Sequence, residues 1–106
     1  MLHAKGALGA PATSGTSPTG VLRVDTTSGN GNVMDVGLYS ASPYGGWIQV
    51  YDRTTMAMKY PLVLNPTGGR VGIGIVYPGD ALEVAGGGVR VGGRQTIDSS
   101  GRALYA

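Results

Sequence analysis

The chain has no cysteine and no phenylalanine, and it has only one histidine and one tryptophan among its 106 residues. Without cysteine, neither disulfide bonds nor thiolate metal sites can stabilise the fold. Without phenylalanine, the strongly apolar residues are 23 leucines, isoleucines and valines. That number is marginal for an independent core, because a chain this short leaves a large share of its surface uncovered.

Charged residues and long apolar runs are also scarce. Charged side chains make up 13% of the chain, and the formal net charge is +2 with the basic residues spread along the sequence. This distribution lacks the basic patch that is typical of nucleic-acid-binding proteins. No apolar run approaches the roughly 20 residues that span a bilayer. We therefore expect neither nucleic-acid binding nor membrane insertion.

Residues suited to catalysis or metal binding are few and scattered. His3 lies in a segment rich in Ala, Gly, Ser, Thr and Pro, where a solvated side chain is a better interpretation than a general base. No Gly-x-Ser-x-Gly elbow and no phosphate-binding loop is found. Asp25 and Asp35 flank an Asn- and Gly-rich turn and are candidate calcium ligands, but solvated turn carboxylates are the favoured interpretation. We expect no enzyme activity, no metal and no cofactor.

Glycine is the one residue type in large excess, with 20 positions. This is well over twice its usual share of about 7%. The glycines do not recur at every third position, which excludes a collagen triple helix. A glycine-rich chain loses much conformational entropy on folding, and burial between subunits is the simplest source of compensation.

Apolar alternation with closely spaced turn signals predicts an all-β fold of short antiparallel strands leading into a glycine-rich intertwined trimeric β segment. An Asn-Gly step within 28–32 predicts a tight hairpin turn. The clearest alternation runs from Met56 to Leu64, with Pro61 favouring an edge or a bend. The predicted strands are 21–25, 33–39, 47–53, 56–64, 71–75, 82–84 and 89–91.

Composition divides the chain into three segments. Residues 1–20 are predicted to form an extended N-terminal arm or linker. Residues 21–64 are predicted to form a head that is a β-sheet or resembles a β-sandwich. Residues 65–106 are predicted to form the intertwined segment of a trimeric fibre, because glycine recurs there among short apolar runs.

The segment Val71-Gly72-Ile73-Gly74-Ile75 alternates β-branched residues with glycine. Glycine weakens a strand unless a ligand or another backbone must approach it closely. We therefore predict that Gly72 and Gly74 allow neighbouring chains to lie close together, while Val71, Ile73 and Ile75 supply apolar burial in a homotrimer.

The aromatic residues Tyr44, Trp47 and Tyr51 lie around a glycine-rich turn. Their rings could stack on a glycan beside polar neighbours, or they could anchor the sheet or a subunit interface, where Trp and Tyr are enriched. The structural interpretation is favoured. An exposed Trp47 beside Tyr44 would indicate a glycan site, and a Trp47 buried between subunits would indicate an interface.

Residues 60–74 (Tyr-Pro-Leu-Val-Leu-Asn-Pro-Thr-Gly-Gly-Arg-Val-Gly-Ile-Gly), followed by Pro78 and 82–86, resemble a motif of phage tail fibres and spikes. In that family the motif lies upstream of the chaperone-of-endosialidase domain. Residues 44–49 are also similar to a stretch of these proteins, and residues 9–24 are similar to the segments with which these sequences begin. The likeness therefore covers most of the chain. The Asn-Pro-x-Gly-Gly-x-Val-Gly-Ile-Gly core is its most specific part.

The resemblance implies a trimeric, β-structured virion protein of a phage fibre, spike or head decoration. Such a protein is assembled in the host cytoplasm and contacts other proteins of the tail or capsid. The alternative is a receptor-binding module that recognises a glycan on the host surface. Two departures from the family pattern are present. Ile75-Val76-Tyr77 replaces the usual Thr-Thr-Ser, and the sequence reaches Ala106 without a helical chaperone domain, so trimerisation is expected to be unaided, helped by a separate chaperone, or part of a longer chain.

Overall fold

The structure is a computed structural model that describes residues 1–27 and 29–104. Within these residues every regular element is a strand, so the prediction of an all-β fold is confirmed. None of them belongs to a helix that could serve as a membrane span. The strands are β1 (Leu22–Val24), β2 (Asn32–Leu38), β3 (Gly46–Asp52), β4 (Val71–Ile73), β5 (Leu82–Val84), β6 (Val89–Val91) and β7 (Arg94–Ile97).

The chain divides into two compact units, Met1–Leu62 and Val63–Ala106. The first unit contains a three-stranded antiparallel sheet in the order β1-β2-β3. In the second unit, β4 and β5 form a parallel pair and β6 and β7 form an antiparallel pair. The division lies close to the predicted boundary after Leu64.

The register of the first sheet follows from the apolar alternation of its strands. Leu22 lies opposite Val36, which in turn lies opposite Ile48. The connection between β1 and β2 is longer than a two-residue turn, because the last pair of the ladder is Val24 and Met34. Gly29 and Gly31 provide the positive φ angles of this loop, and the predicted turn begins at Ser28, which lies outside the described residues.

Residues 1–20 contain no helix or strand, yet hydrogen bonds attach them to the first sheet. The Gly9 N–H donates to the Leu38 carbonyl at 2.9 Å, and the Trp47 indole N–H donates to the Gly9 carbonyl at 2.9 Å. The Gly15 carbonyl accepts the Met56 N–H at 2.9 Å. The N-terminal segment is therefore part of the first unit and covers one face of its sheet.

The predicted strand at 56–64 is wrong. This segment makes one bridge to β3, between Lys59 and Tyr51, and Met56 turns inward to become fully buried. The Asp52 N–H donates to the Met58 carbonyl and the Tyr60 N–H donates to the Val50 carbonyl, but no strand continues past Tyr60. Pro61 has no N–H with which to extend such a ladder.

The second unit contains a strand that the sequence did not indicate. β6 and β7 form a hairpin through Gly92 and Gly93, whose φ angles are 59° and 81°. Successive positive φ angles are what the favoured two-residue hairpin turn requires, and glycine adopts them without strain. β7 was not predicted, because Arg94, Gln95 and Thr96 lack apolar alternation.

Candidate functional site

A buried ionic network occupies the covered face of the first sheet. Arg23 on β1 lies opposite Asp35 on β2, and its Nε and Nη2 donate to the two carboxylate oxygens at 2.7 and 2.9 Å. The Tyr51 hydroxyl on β3 donates to Asp35 Oδ2 at 2.5 Å. Asp35 is 1% exposed and Tyr51 is 0% exposed. A bidentate, charge-assisted pair of this kind links all three strands.

Asp35 is therefore not the solvated turn carboxylate that the sequence favoured. The interpretation is wrong because Arg23 and Tyr51, which compensate for its burial, come from other strands. The apolar part of the same core consists of Val33, Tyr51 and Met56, with Ala12 of the N-terminal segment packed against it. Among the described residues, no buried side-chain nitrogen or oxygen lacks a hydrogen-bond partner.

The network changes the pKa values of its members in opposite directions. Burial acts to raise the pKa of the Asp35 carboxyl, but the hydrogen bonds from Arg23 and Tyr51 and the Arg23 charge outweigh it, so this pKa lies below its usual value. Burial, followed by the hydrogen bond to Asp35 and its charge, raises the pKa of Tyr51 to about 12. The Asp35 contribution to stability is present above the pKa of an unfolded aspartate and is lost as the pH falls through the folded pKa.

The raised pKa of Tyr51 predicts a loss of stability at alkaline pH. An unfolded tyrosine ionises near pH 10.0 and Tyr51 near 12, so the folded state retains a proton that the unfolded state has lost. The contribution of Tyr51 to the free energy of unfolding is fully present below pH 10, and about 2 kcal/mol of it is lost as the pH rises towards 12. Urea unfolding at a series of pH values measures this loss. The variant Tyr51→Phe should lack this component, and an equal alkaline slope in both proteins would contradict the assignment.

Trp47 lies in a cleft formed by glycines of its own chain. It is opposite Gly37 in the sheet, and a Cβ added to Gly37 would lie 2.2 Å from Cζ2 of the indole ring. A Cβ on Gly20 would lie 3.2 Å from Cη2 of the same ring, and the ring nitrogen donates to the Gly9 carbonyl. Trp47 is consequently 8% exposed within a single chain, so it anchors the N-terminal segment to the sheet.

The three aromatic residues singled out in the sequence do not form one surface. Trp47 and Tyr51 lie on the covered face of the sheet, whereas Tyr44 lies in the loop between β2 and β3. Tyr44 is 71% exposed, has a φ of 61°, and follows the cis Ser42–Pro43 peptide bond. Of the three rings, only that of Tyr44 is presented to solvent. Trp47 is neither exposed beside Tyr44 nor dependent on a second subunit for its burial; it anchors the sheet of its own chain, which is one of the two roles in the structural interpretation.

The glycines of the 71–75 segment make close contacts inside one chain. A Cβ on Gly72 would lie 2.6 Å from the Ile75 carbonyl oxygen, and one on Gly74 would lie 2.8 Å from the Ala85 carbonyl oxygen. Gly74 also has a φ of 74°, which favours glycine. Both glycines are thus required by the fold of a single chain. Their role in packing three chains stays a prediction.

The apolar residues of this segment are incompletely covered. Val71 and Ile75 are partly buried, while Ile73 is exposed. Val76 and Tyr77 directly after them are among the most exposed large side chains of the chain. These two residues therefore add to the exposed apolar surface of the second unit.

The second unit also contains a shallow groove of about 190 Å³. Its walls are mainly apolar, with Leu82 and Val84 of β5 on one side and Val89 and Ile97 of the β6–β7 hairpin on the other. Asp98 at its rim is held in a turn by the N–H groups of Ser100 and Arg102. The groove offers apolar contact and little hydrogen bonding.

The sequence analysis did not single out the uncovered face of the first sheet, which we call the outer face. Its apolar side chains alternate with those of the buried network and are half-exposed or partly exposed. The sequence pattern that could have identified this face is the shared parity of apolar residues on three successive strands. The apolar residues of the outer face are Leu22, Val24, Met34, Val36, Leu38, Ile48 and Val50, and the register adds the polar pair Asn32 and Asp52 at one end.

Comparison with known proteins adds no relatives. No family model, no curated protein and no solved structure matches this chain. Within residues 1–27 and 29–104, no three His, Cys, Asp or Glu side chains lie together as they would around a metal ion.

Proposed function

We propose that this chain is a non-enzymatic structural module of a bacteriophage virion, acting as a homotrimer in a fibre, spike or head decoration. The observation that carries this proposal is the imbalance between buried and exposed apolar side chains. The buried hydrophobic residues are Val33, Trp47, Tyr51 and Met56. Exposed large hydrophobic residues are far more numerous, and they occur in both units.

This imbalance favours a protein that functions in an assembly. Soluble monomers rarely expose contiguous apolar patches larger than a few hundred Å². Most oligomers of identical chains have closed symmetry, which buries such patches and limits further growth. The motif of residues 60–74 supports the more specific proposal of a phage fibre or decoration protein, since it resembles the motif of that family.

The receptor-binding alternative has narrower support. A glycan site built from stacked aromatic rings would need several exposed rings close together. Trp47 and Tyr51 are buried, which leaves Tyr44 and the partly exposed Tyr39 in one loop. This loop is the place where a glycan contact would lie if the module also binds a host surface.

The mass of the species in solution tests the proposed function. We expect sedimentation equilibrium to give three times the chain mass of 10.7 kDa at micromolar concentration. Burial of exposed apolar side chains, at about 25 cal/mol per Å², is the physical reason. A species of single-chain mass that remains soluble and folded by circular dichroism would contradict the proposal.

A further inference from the structure

We propose that Asn30, in the loop between β1 and β2, is a site of spontaneous deamidation, at which the side-chain amide becomes a carboxylate without the help of an enzyme. Asparagine is one of the thermolabile residue types of proteins. The chain has three asparagines, Asn30, Asn32 and Asn65, and they differ in the residue that follows and in the contacts of the side chain. The inference goes beyond the proposed function, because it does not depend on how many chains assemble.

The reaction is an attack within the chain. The backbone nitrogen of the residue after asparagine loses its proton and bonds to the side-chain carbon Cγ, and ammonia leaves as the bond between Cγ and Nδ2 breaks. The cyclic succinimide that results then takes up one water molecule. Opening at Cγ gives aspartate, whereas opening at the backbone carbonyl gives isoaspartate, in which the main chain runs through Cβ and Cγ. In both products, one neutral amide and one water have become a carboxylate and an ammonium ion.

Asn30 combines an unobstructed neighbour with an unheld side chain. Gly31 follows it and has no Cβ to block the approach of its nitrogen to the side chain. The Asn30 side chain is exposed and lies outside the strands, and no hydrogen bond among the described residues holds it. A Cβ added to the preceding Gly29 would have no neighbour within 4 Å, so the chain before Asn30 is also uncrowded. Rotation of the side chain towards the Gly31 nitrogen therefore breaks no hydrogen bond.

The other two asparagines lack this combination and serve as internal controls. Val33 follows Asn32, and its β-branched side chain crowds its own backbone nitrogen and is 2% exposed in the core. Pro66 follows Asn65 and has no N–H, so its nitrogen cannot attack. The Asn65 side chain is also held, because its Nδ2 donates to the Arg70 carbonyl at 2.9 Å. We therefore expect both side chains to remain amides while Asn30 reacts.

Arg53 ties the two ends of this loop. Its Nη1 donates to Asp25 Oδ1 at 2.8 Å and to the Thr26 carbonyl at 3.2 Å, and its N–H donates to the Gly31 carbonyl at 2.9 Å. Gly31 is buried, and a Cβ there would lie 3.3 Å from Oδ2 of Asp52. These contacts hold the carbonyl of Gly31 rather than its nitrogen. Because burial limits the access of hydroxide, we expect the folded chain to react at the same residue as the unfolded chain, but more slowly.

Isoaspartate at position 30 would lengthen a loop whose ends are fixed. Its extra backbone carbon enters directly before Gly31, and Asn32 then begins β2 opposite Asp52. We expect the longer main chain to displace the Gly31 carbonyl from the Arg53 N–H, because the other contacts of Arg53 stay in place at the far end of the loop. The new carboxylate also lowers the formal net charge by one, from +2 to +1.

Prolonged incubation of the folded protein in mildly alkaline buffer, followed by peptide mass analysis with fragmentation, tests the site. We expect Asn30 to be converted almost completely before Asn32 or Asn65 changes, with the loss of one positive unit of net charge on cation exchange. Asn30→Gln is the matched control, since it keeps an exposed amide whose cyclisation needs a larger ring that closes slowly, and its charge should stay constant. An unchanged Asn30, equal conversion of Asn32 or Asn65, or the same charge loss in Asn30→Gln would overturn the inference.

The variant Asn30→Asp separates the longer backbone from the new charge, because it carries the carboxylate on a normal main chain. We expect the Arg53 amide to exchange its hydrogen faster in the incubated protein than in the fresh protein, and at the unchanged rate in Asn30→Asp. Unchanged exchange after conversion, or equally fast exchange in Asn30→Asp, would overturn the inferred effect of the longer loop. The mass of the species in solution remains a separate test of the proposed function.

Discussion

Asp35→Ala is expected to lower the free energy of unfolding by about 3 to 5 kcal/mol, because it removes one partner of a buried ion pair and leaves the other uncompensated. The Arg23 side chain, which is 23% exposed, would keep its charge without a carboxylate, and the buried Tyr51 hydroxyl would lose its acceptor. The loss is a large fraction of the stability of a small domain. Urea unfolding followed by circular dichroism at fixed protein concentration measures it.

Asp25→Ala is the matched control for this prediction. Asp25 also pairs with an arginine, Arg53, at 2.8 Å, but both members of this ion pair are substantially exposed. A solvent-exposed pair of this kind contributes about 0 to 1 kcal/mol. The difference between the two alanine variants therefore isolates the effect of burial. Equal losses in Asp35→Ala and Asp25→Ala would show that the network is not the principal polar contact of the first unit.

Gly37→Ala should destabilise the first unit by about 3 kcal/mol, because its new methyl group would occupy the space of the Trp47 ring. The added Cβ would lie 2.2 Å from Cζ2 and 2.4 Å from Cε2 of the ring. To relieve this overlap, the ring must leave its cleft and release its hydrogen bond to Gly9. Trp47 is the single tryptophan, so its fluorescence should shift to longer wavelength as the ring becomes solvated.

Gly46→Ala provides the comparison, since Gly46 is also a strand glycine of the same sheet and lies opposite Leu38. A Cβ there would find its nearest neighbours at 3.6 Å, which is an ordinary contact. We expect its unfolding midpoint and its fluorescence to remain close to those of the parent protein. If Gly37→Ala behaves in the same way, the close packing of Trp47 against Gly37 is not needed for stability.

The fold class and the central strands could be predicted from the sequence because their signals are local. β2 and β3 begin and end within one residue of the predicted 33–39 and 47–53, since strong apolar alternation is bounded there by glycine-rich turns. The segment 56–64 shows the limit of that signal. Met56 and Tyr60 alternate as a strand would, but a turn and a single bridge produce the same parity.

The buried network could not be predicted, because its members are compatible with solvent exposure when each is considered alone. Arg23 and Asp35 are separated by 12 positions and Tyr51 follows 16 positions later, so only the sheet register shows that they meet. The glycines at 72 and 74 were read as evidence for neighbouring chains, yet close approach within the chain already accounts for them. Sequence shows that glycine is needed there, but it does not show which backbone comes near.

The outer face could have been recognised from the sequence by comparing strands. On β3, the alternation places Ile48 and Val50 on one side. The same parity on β1 and β2 holds apolar residues from Leu22 to Leu38 apart from Asn32, while the intervening positions include Arg23 and Asp35. Sequence alone could not decide which of the two sides the N-terminal segment covers. That choice depends on the contacts of Gly9 and Gly15 with residues far along the chain.

These long-range contacts determine the order in which the first unit is completed during synthesis. Residues 1–20 are synthesised before the strands of this unit, but Gly9 must wait for Trp47 and Gly15 must wait for Met56 before their hydrogen bonds can form. Contacts between residues so far apart in sequence form late and slow the folding of small β proteins. Within the first unit, the segment that is synthesised before the sheet is thus fixed after it, and until then the indole ring of Trp47 lacks its hydrogen bond to Gly9.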